Sequence, residues 1–163
     1  MPVAAGLAAN EIMAVLWAMF VAYSDVTERR IPNYLVFGAA LVCLFVLAWD
    51  GQAPLGGGLL SVAGGFGLAL LLTLPGYLTH RLGAGDVKML LAVATMGGHA
   101  LVLQTFVIGA LLAVLPALAY WYFPGRLGGR VPCPTSSRCL PFGAALGGGL
   151  IGSLLLLPLV HSR

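Results

Sequence analysis

Long apolar runs separated by short polar stretches fill the chain of 163 residues. A hydrocarbon core of about 30 Å requires about 20 predominantly apolar residues in a helix. The pattern therefore predicts six membrane-spanning helices, at Val3–Ser24, Ile31–Trp49, Leu55–Thr79, Gly85–Gly97, His99–Phe123 and Leu140–Val160. We expect an all-α integral membrane protein that forms one domain over residues 1–163.

The fourth run is short, and only Gly97-Gly98-His99 joins it to the fifth. One long broken helix over both runs, which leaves five spans, is the alternative interpretation. Residues 85–123 are too many for a single crossing, however, so the length favours two helices and a tight turn at the glycine pair.

The composition excludes several classes of protein. Hydrophobic residues make up 60% of the chain and charged residues only 8%, whereas soluble domains carry roughly a quarter charged residues. A water-soluble enzyme, a disordered chain and a nucleic-acid binder are all disfavoured, despite the net charge of +3. Membrane lipid is therefore the expected surrounding, and no nucleic-acid partner is expected.

The basic residues predict the orientation in the membrane. With six spans, seven of them fall in or next to the loops on one side: Arg29, Arg30, Arg81, Lys88, Arg126, Arg130 and Arg138. The positive-inside rule makes those loops cytoplasmic and places both termini outside, in a multi-pass protein of the cytoplasmic (inner) membrane. Five spans would divide the basic residues between the two sides. The N-terminus has no basic segment typical of a cleavable signal, so the first helix should remain in the mature protein.

Two acidic residues are predicted to meet at the cytoplasmic face. Asp25 ends the first span, and Asp86 begins the fourth span after two further crossings. The other acids have simpler interpretations: Asp50 as a turn residue, Glu28 as a solvated loop charge and Glu11 as an interfacial carboxyl. Asp25 and Asp86 are therefore the candidate functional pair.

A pair of carboxyl groups on one face is suited to general acid and base chemistry. One carboxylate can take a proton from water while its protonated partner polarises a carbonyl group. Two like charges in close contact cannot both ionise, so the pair would share one proton. Gly83 and Gly85 surround Asp86 with backbone that allows a polypeptide to approach closely.

Other chemistries have less support. The cysteines lack the spacing of a zinc site or a disulfide framework, the histidines lie singly at span ends, and the serines have no basic partner at an identifiable spacing. No metal and no cofactor are expected. These residues are Cys43, Cys133, Cys139, His80, His99, His161, Ser24, Ser61 and Ser153.

Three segments resemble motifs of the type IV prepilin peptidase (leader peptidase) family. Asp25-Val-Thr-Glu-Arg-Arg-Ile-Pro-Asn33 is similar to its first aspartate motif. Gly83-Ala-Gly-Asp-Val-Lys88 resembles the Gly-x-Gly-Asp motif that the family shares with presenilin and signal peptide peptidase. Leu140-Pro-Phe-Gly-Ala-Ala-Leu146 resembles the Pro-Phe/Tyr-Gly stretch that opens its last helix.

The resemblance implies an intramembrane-type aspartic endopeptidase that removes the leader peptide from prepilin-like precursors at the cytoplasmic face. Asp25 and Asp86 would be its catalytic pair. Residues supporting the active-site loops would be Gly83, Gly85, Lys88, Pro32, Asn33 and Pro141. Pro32 suits the first turn of the second helix. Lys88 could favour an ionised Asp86 or extend to the lipid headgroups, and we expect the latter.

The chain departs from the larger members of this family. It begins almost at the first span and contains no Cys-x-x-Cys motif. It therefore resembles the short, monofunctional type associated with Tad/Flp pili, for which methylation of the new terminus is not predicted.

Two other functions remain open on sequence alone. A small proton-coupled transporter or channel could use Asp25 and Asp86 as relay acids, although the two residues do not occupy matching places in the two halves of the chain, as an inverted repeat would require. A non-catalytic component of a membrane assembly is the other alternative. Small residues spaced for helix packing, such as Gly143 and Gly147, fit both an assembly component and an enzyme.

Overall fold

A computed structural model of the chain describes residues 3–28, 31–80, 82–122 and 142–161. These residues form five helices: α1 (Val3–Glu28), α2 (Asn33–Asp50), α3 (Leu59–Leu78), α4 (Ala84–Tyr122) and α5 (Phe142–His161). Within these ranges the only extended pairing is a single bridge between Gln52 and Gly58. The predicted all-α fold is confirmed, while the single domain over the whole chain stays a prediction.

Two predicted helix starts are wrong. The second helix begins at Asn33 and not at Ile31, because Pro32 has extended backbone (φ −62°, ψ 130°) and occupies the N-cap position instead of the first turn. The third helix begins at Leu59 and not at Leu55. Gly56 and Gly57 before it have positive φ values of 98° and 94°, which are incompatible with a right-handed helix.

The helix α4 is broken at Gly98, as the glycine pair predicts. Its 39 residues would extend for about 58 Å if straight. Gly98 instead has φ 73° and ψ −160°, and this non-helical residue separates the segments 84–97 and 99–122. The side chain of Ala94, before the break, lies beside Gly65 of α3, whereas Gly109, after it, lies beside Leu146 of α5. The break therefore divides α4 between two packing partners.

The contact between Ser61 and His99 differs from the sequence prediction. Ser61 was expected to have no basic partner, but its Oγ lies 3.0 Å from Nδ1 of His99. The break at Gly98 brings His99 against α3, and the backbone N–H of Leu55 donates to the carbonyl oxygen of Met96 at 2.8 Å beside it. These contacts attach the break to α3 and to the loop before it.

Three of the described helices are long and apolar enough to cross a membrane: Asn33–Asp50, Leu59–Leu78 and Ala84–Leu115. Within α5 the apolar stretch Phe142–Leu155 is shorter. Large apolar side chains cover the outer surface, including Phe45 at 69% and Trp49 at 81% exposure. Such a continuous apolar surface fits a lipid surrounding. The number of six spans and the placement of the termini remain predictions.

The helix α4 is the centre of the packed core. It packs against α2, α3 and α5, and α1 packs against α5. The largest fully buried side chains include Met89, Leu90 and Val93 of α4 together with Leu146 and Leu150 of α5. Because the first turn of α4 carries Asp86, the packing of α4 against its neighbours determines where Asp86 lies.

The two ends of the helix bundle differ in their chemistry. At one end, Nδ2 of Asn10 in α1 donates to the carbonyl oxygen of Pro54, near the break in α4. The other end, called the aspartate end here, contains Asp25 near the end of α1, Asn33 at the start of α2, Asp86 at the start of α4 and Ala144 at the start of α5. Four helix ends thus converge on the residues that the sequence singled out.

Candidate active site

Asp25 is held by the first turn of α5. The half-buried side chain lies in the last turn of α1, and its Oδ2 accepts a hydrogen bond from the backbone N–H of Ala144 at 2.9 Å. The first amides of a helix have no partner within the helix, and the N-terminus carries partial positive charge. This hydrogen bond therefore gives a partner to one of the first amides of α5, and it orients the side chain of Asp25.

Asp86 is held by the turn that precedes its own helix. It is the third residue of α4, it is buried at 9% exposure, and its Oδ2 accepts a hydrogen bond from the backbone N–H of Gly83 at 3.0 Å. An acidic side chain at this position commonly bonds back to the N-cap amide. The Gly-x-Gly-Asp segment thus places the carboxyl group at the positive end of α4.

The side chain of Ile31 lies close to the surroundings of both aspartates. A methyl group on Gly143 would lie 2.8 Å from Oδ2 of Asp25 and 3.0 Å from Cδ1 of Ile31. A methyl group on Gly85, the residue before Asp86, would lie 3.4 Å from Cβ and Cδ1 of the same isoleucine. The side chain of Ile31 therefore lies between the backbone beside Asp86 and the backbone beside Asp25.

Lys88 contacts α2 at the aspartate end, and the extension of its ammonium group to lipid headgroups stays a prediction. Its Nζ donates to Oδ1 of Asn33 at 3.0 Å and lies 5.7 Å from the centre of the Phe37 ring. The side chain can make both contacts because α2 packs on α4 at this end. Lys88 and Asn33 thus tie the start of α2 to the helix that carries Asp86.

The structure brings together most of the predicted site residues. Gly83 and Gly85 lie beside Asp86 as expected, and Pro32 is the N-cap of α2. Pro141 lies outside the described residues.

Sequence analysis missed three residues of the site: Ile31, Gly143 and Ala144. For Gly143 and Ala144 a signal was present, because they follow a proline at the start of an apolar run, where a helix offers unpaired amides. Ile31 lies within the first aspartate motif, but an apolar side chain gives no chemical signal of a role in the site.

Comparison with known proteins identifies a family for this chain. Searches of curated proteins and of solved structures gave no significant match. The family model described as the type IV leader peptidase family matches residues 12–118, a stretch that contains Asp25, Ile31 and Asp86 and ends before α5. Because that match covers well over half of the chain, this protein belongs to the type IV leader peptidase family.

Proposed function

We propose that this protein is an aspartic endopeptidase that uses Asp25 and Asp86 to remove the leader peptide from prepilin-like precursors. The observation that carries the proposal is the position of the two carboxyl groups. They lie at one end of the bundle. The side chain of Ile31 lies beside both Gly85, which precedes Asp86, and Gly143, which lies next to Asp25 in space. Membership of the type IV leader peptidase family supports the reaction and the class of substrate.

The pair would act by general acid and base catalysis. The ionised carboxylate takes a proton from water as the water oxygen attacks the carbonyl carbon of the scissile peptide, and the protonated carboxyl group donates to the carbonyl oxygen. The resulting tetrahedral intermediate collapses when the C–N bond breaks and the leaving nitrogen receives a proton. The products are a new carboxyl terminus on the leader and a new amino terminus on the shortened protein.

The backbone around each aspartate supports this chemistry. The amides of Gly83 and Ala144 orient the two carboxyl groups by hydrogen bonds at 3.0 Å and 2.9 Å. Catalytic groups must be held close to the productive geometry for efficient reaction. Asp86 is also buried, which limits the access of bulk water to the pair.

The proposed place of cleavage is the cytoplasmic face of the inner membrane. Six spans would put the aspartate end on the same side as seven of the eight Lys and Arg residues. A prepilin-like precursor with a membrane helix would present its leader junction on that side.

The test is cleavage of a leader-bearing precursor by the purified protein in detergent or liposomes. Asp25→Asn and Asp86→Asn should each lower the rate by about 10²- to 10⁴-fold, because the amide keeps the shape of the side chain but cannot transfer the proton. Asp50→Asn is the matched control, since Asp50 is exposed at the other end of α2 and should leave the rate unchanged.

Two results would count against the proposal. A folded Asp25→Asn or Asp86→Asn protein that cleaves at nearly the wild-type rate would show that the assigned pair is wrong. A wild-type protein that leaves the precursor at full length would favour a transporter, a channel or a non-catalytic assembly component.

A further inference from the structure

Ile31 occupies a narrow place between two helix starts. It precedes the N-cap residue Pro32 and is half-buried against the main core of the bundle. Its Cδ1 and the Oδ2 of Asp25 lie within 3.0 Å and 2.8 Å of the same point above Gly143, so the two atoms are at most about 6 Å apart. The same Cδ1 and the Cβ of Ile31 lie 3.4 Å from the place that a methyl group on Gly85 would take.

The reaction requires a peptide to occupy this same region. Both carboxyl groups must come within hydrogen-bond reach of the reacting atoms, about 2.6–3.2 Å between heavy atoms. A scissile peptide that satisfies this condition must occupy the space beside Ile31, because Cδ1 of Ile31 is close both to Asp25 and to Gly85, the residue before Asp86. The side chain of Ile31 borders that space, so it would contact the substrate residues on either side of the cleaved bond.

We propose that Ile31 is a specificity-determining residue that limits the size of the substrate side chain next to the cleaved bond. This inference rests on the proposed function. Ile31 has no polar atom in its side chain, so it discriminates by shape alone. An apolar surface close to the reacting bond admits small side chains and excludes large ones.

The backbone around Ile31 makes this discrimination effective. A residue before proline is restricted to extended conformations, so Pro32 limits the movement of Ile31. The hydrogen bond of 3.0 Å from Lys88 to Asn33, two residues after Ile31, ties the start of α2 to α4. A rigid apolar surface discriminates better than a mobile one, because it does not withdraw at low cost when a larger side chain enters.

The experiment measures competition between two precursors in one reaction. The precursors differ only in the residue before the cleaved bond, Ala or Leu, and a second pair differs in the residue after it. The wild-type protein should favour the Ala precursor. Ile31→Ala should raise the Leu to Ala ratio of kcat/KM at least about tenfold in one of the two pairs, since a single methylene group already changes such ratios by that factor.

The controls separate specificity from stability. A competition ratio does not depend on the amount of folded enzyme. Ile31→Val, which removes one methyl group, should shift the ratio in the same direction and serves as a second variant where Ile31→Ala folds poorly. Ile151→Ala makes the same truncation in α5 at a residue that packs on the core, and it should leave the ratio unchanged.

The outcomes distinguish this inference from the proposed function. If the wild-type protein cleaves both precursors but neither Ile31 variant changes either ratio by more than twofold, the role of Ile31 is overturned while the peptidase stands. An equal shift caused by Ile151→Ala would also overturn it. If the wild-type protein cleaves no precursor, the proposed function fails, and this inference fails with it.

Discussion

Single glycines determine how closely the two aspartates approach the neighbouring helices. Gly143 lets α5 come so near to α1 that Oδ2 of Asp25 and Cδ1 of Ile31 both fill the space that a side chain would need. The same approach allows the Ala144 amide to bond to Asp25 at 2.9 Å. The glycine at position 143 is therefore explained by the close packing of the site, and not by a preference of glycine for helices.

We predict that Gly143→Ala lowers the cleavage rate by about tenfold to a hundredfold. The added methyl group would lie 2.8 Å from Oδ2 of Asp25, so either the carboxylate or the start of α5 must shift. A displacement of about 1 Å at a reacting group can cost a hundredfold in rate. The measurement is kcat/KM for precursor cleavage, alongside thermal unfolding in detergent.

Gly38→Ala is the matched control for this prediction. Gly38 lies in α2, and a methyl group there would meet no atom within 4 Å. Alanine in place of an open helical glycine should leave the rate unchanged and leave the protein as stable or slightly more stable. Equal activity of the Gly143→Ala and Gly38→Ala proteins would contradict the role assigned to Gly143.

At the scale of the elements, the break in α4 allows one helix to contribute to two packing layers. Ala94 before Gly98 and His99 after it contact α3, whereas Gly109, further along, contacts α5. The first segment carries Asp86 in its first turn, and the second packs against α5, the helix that binds Asp25. The break therefore helps to place both halves of the site in one bundle.

We predict that Gly98→Ala destabilises the protein by more than about 1 kcal/mol, because the backbone conformation of Gly98 is essentially restricted to glycine and costs another residue about 1–3 kcal/mol. Gly98 has φ 73°, and an added methyl group would also lie 3.0 Å from the carbonyl carbon of Ser61. The measurement is the midpoint of thermal unfolding in detergent, which should fall.

Gly64→Ala tests whether the effect belongs to the break. A methyl group on Gly64 would have His99 Cβ as its nearest neighbour, at 3.9 Å, which is ordinary contact. Its unfolding midpoint should remain within error of the wild type. An unchanged midpoint for Gly98→Ala would mean that the backbone at the break relaxes without cost.

At the scale of the whole molecule, the described helices place the two candidate catalytic residues at one end of the bundle. The aspartate end contains the ends of four helices, while Asn10 and Pro54 meet at the other end. The exposed apolar surface between them, which includes Phe45 and Trp49, suits lipid. The six-span prediction assigns the aspartate end to the cytoplasmic side of the membrane and the other end to the outside.

We predict that single cysteines at Thr27 and His80 label only from the cytoplasm and a cysteine at Gln52 only from outside. All three residues are exposed, and α2 separates Thr27 from Gln52 while α3 separates Gln52 from His80. The measurement uses a membrane-impermeant thiol reagent on intact cells, in a chain whose Cys43, Cys133 and Cys139 have been replaced.

A fourth cysteine, at Ser136, extends the test to a residue outside the described ranges. Six spans require it to label from the cytoplasm together with the cysteine at Thr27. Labelling of these two positions from opposite faces would exclude six spans. Permeabilised membranes, in which all four cysteines should react, provide the control.

The sequence by itself determined the features that depend on near neighbours. Apolar runs predicted the helices, because the backbone of a helix satisfies its own hydrogen bonds in lipid. The break in α4 followed from a glycine pair in a run too long for one crossing. The bond from Gly83 to Asp86 spans only three residues and is typical of a helix start. The family resemblance was equally local, since it depended on short motifs.

Only the tertiary structure decided which distant residues meet. Asp25 and Ala144 are separated by 119 residues, and Lys88 and Asn33 by 55. Ile31 became part of the site because α4 and α5 both bring a glycine to it. The physical reason is that a sequence pattern indicates which residues can form a helix and which face is apolar, whereas contacts between helices depend on how the side chains of several helices pack together.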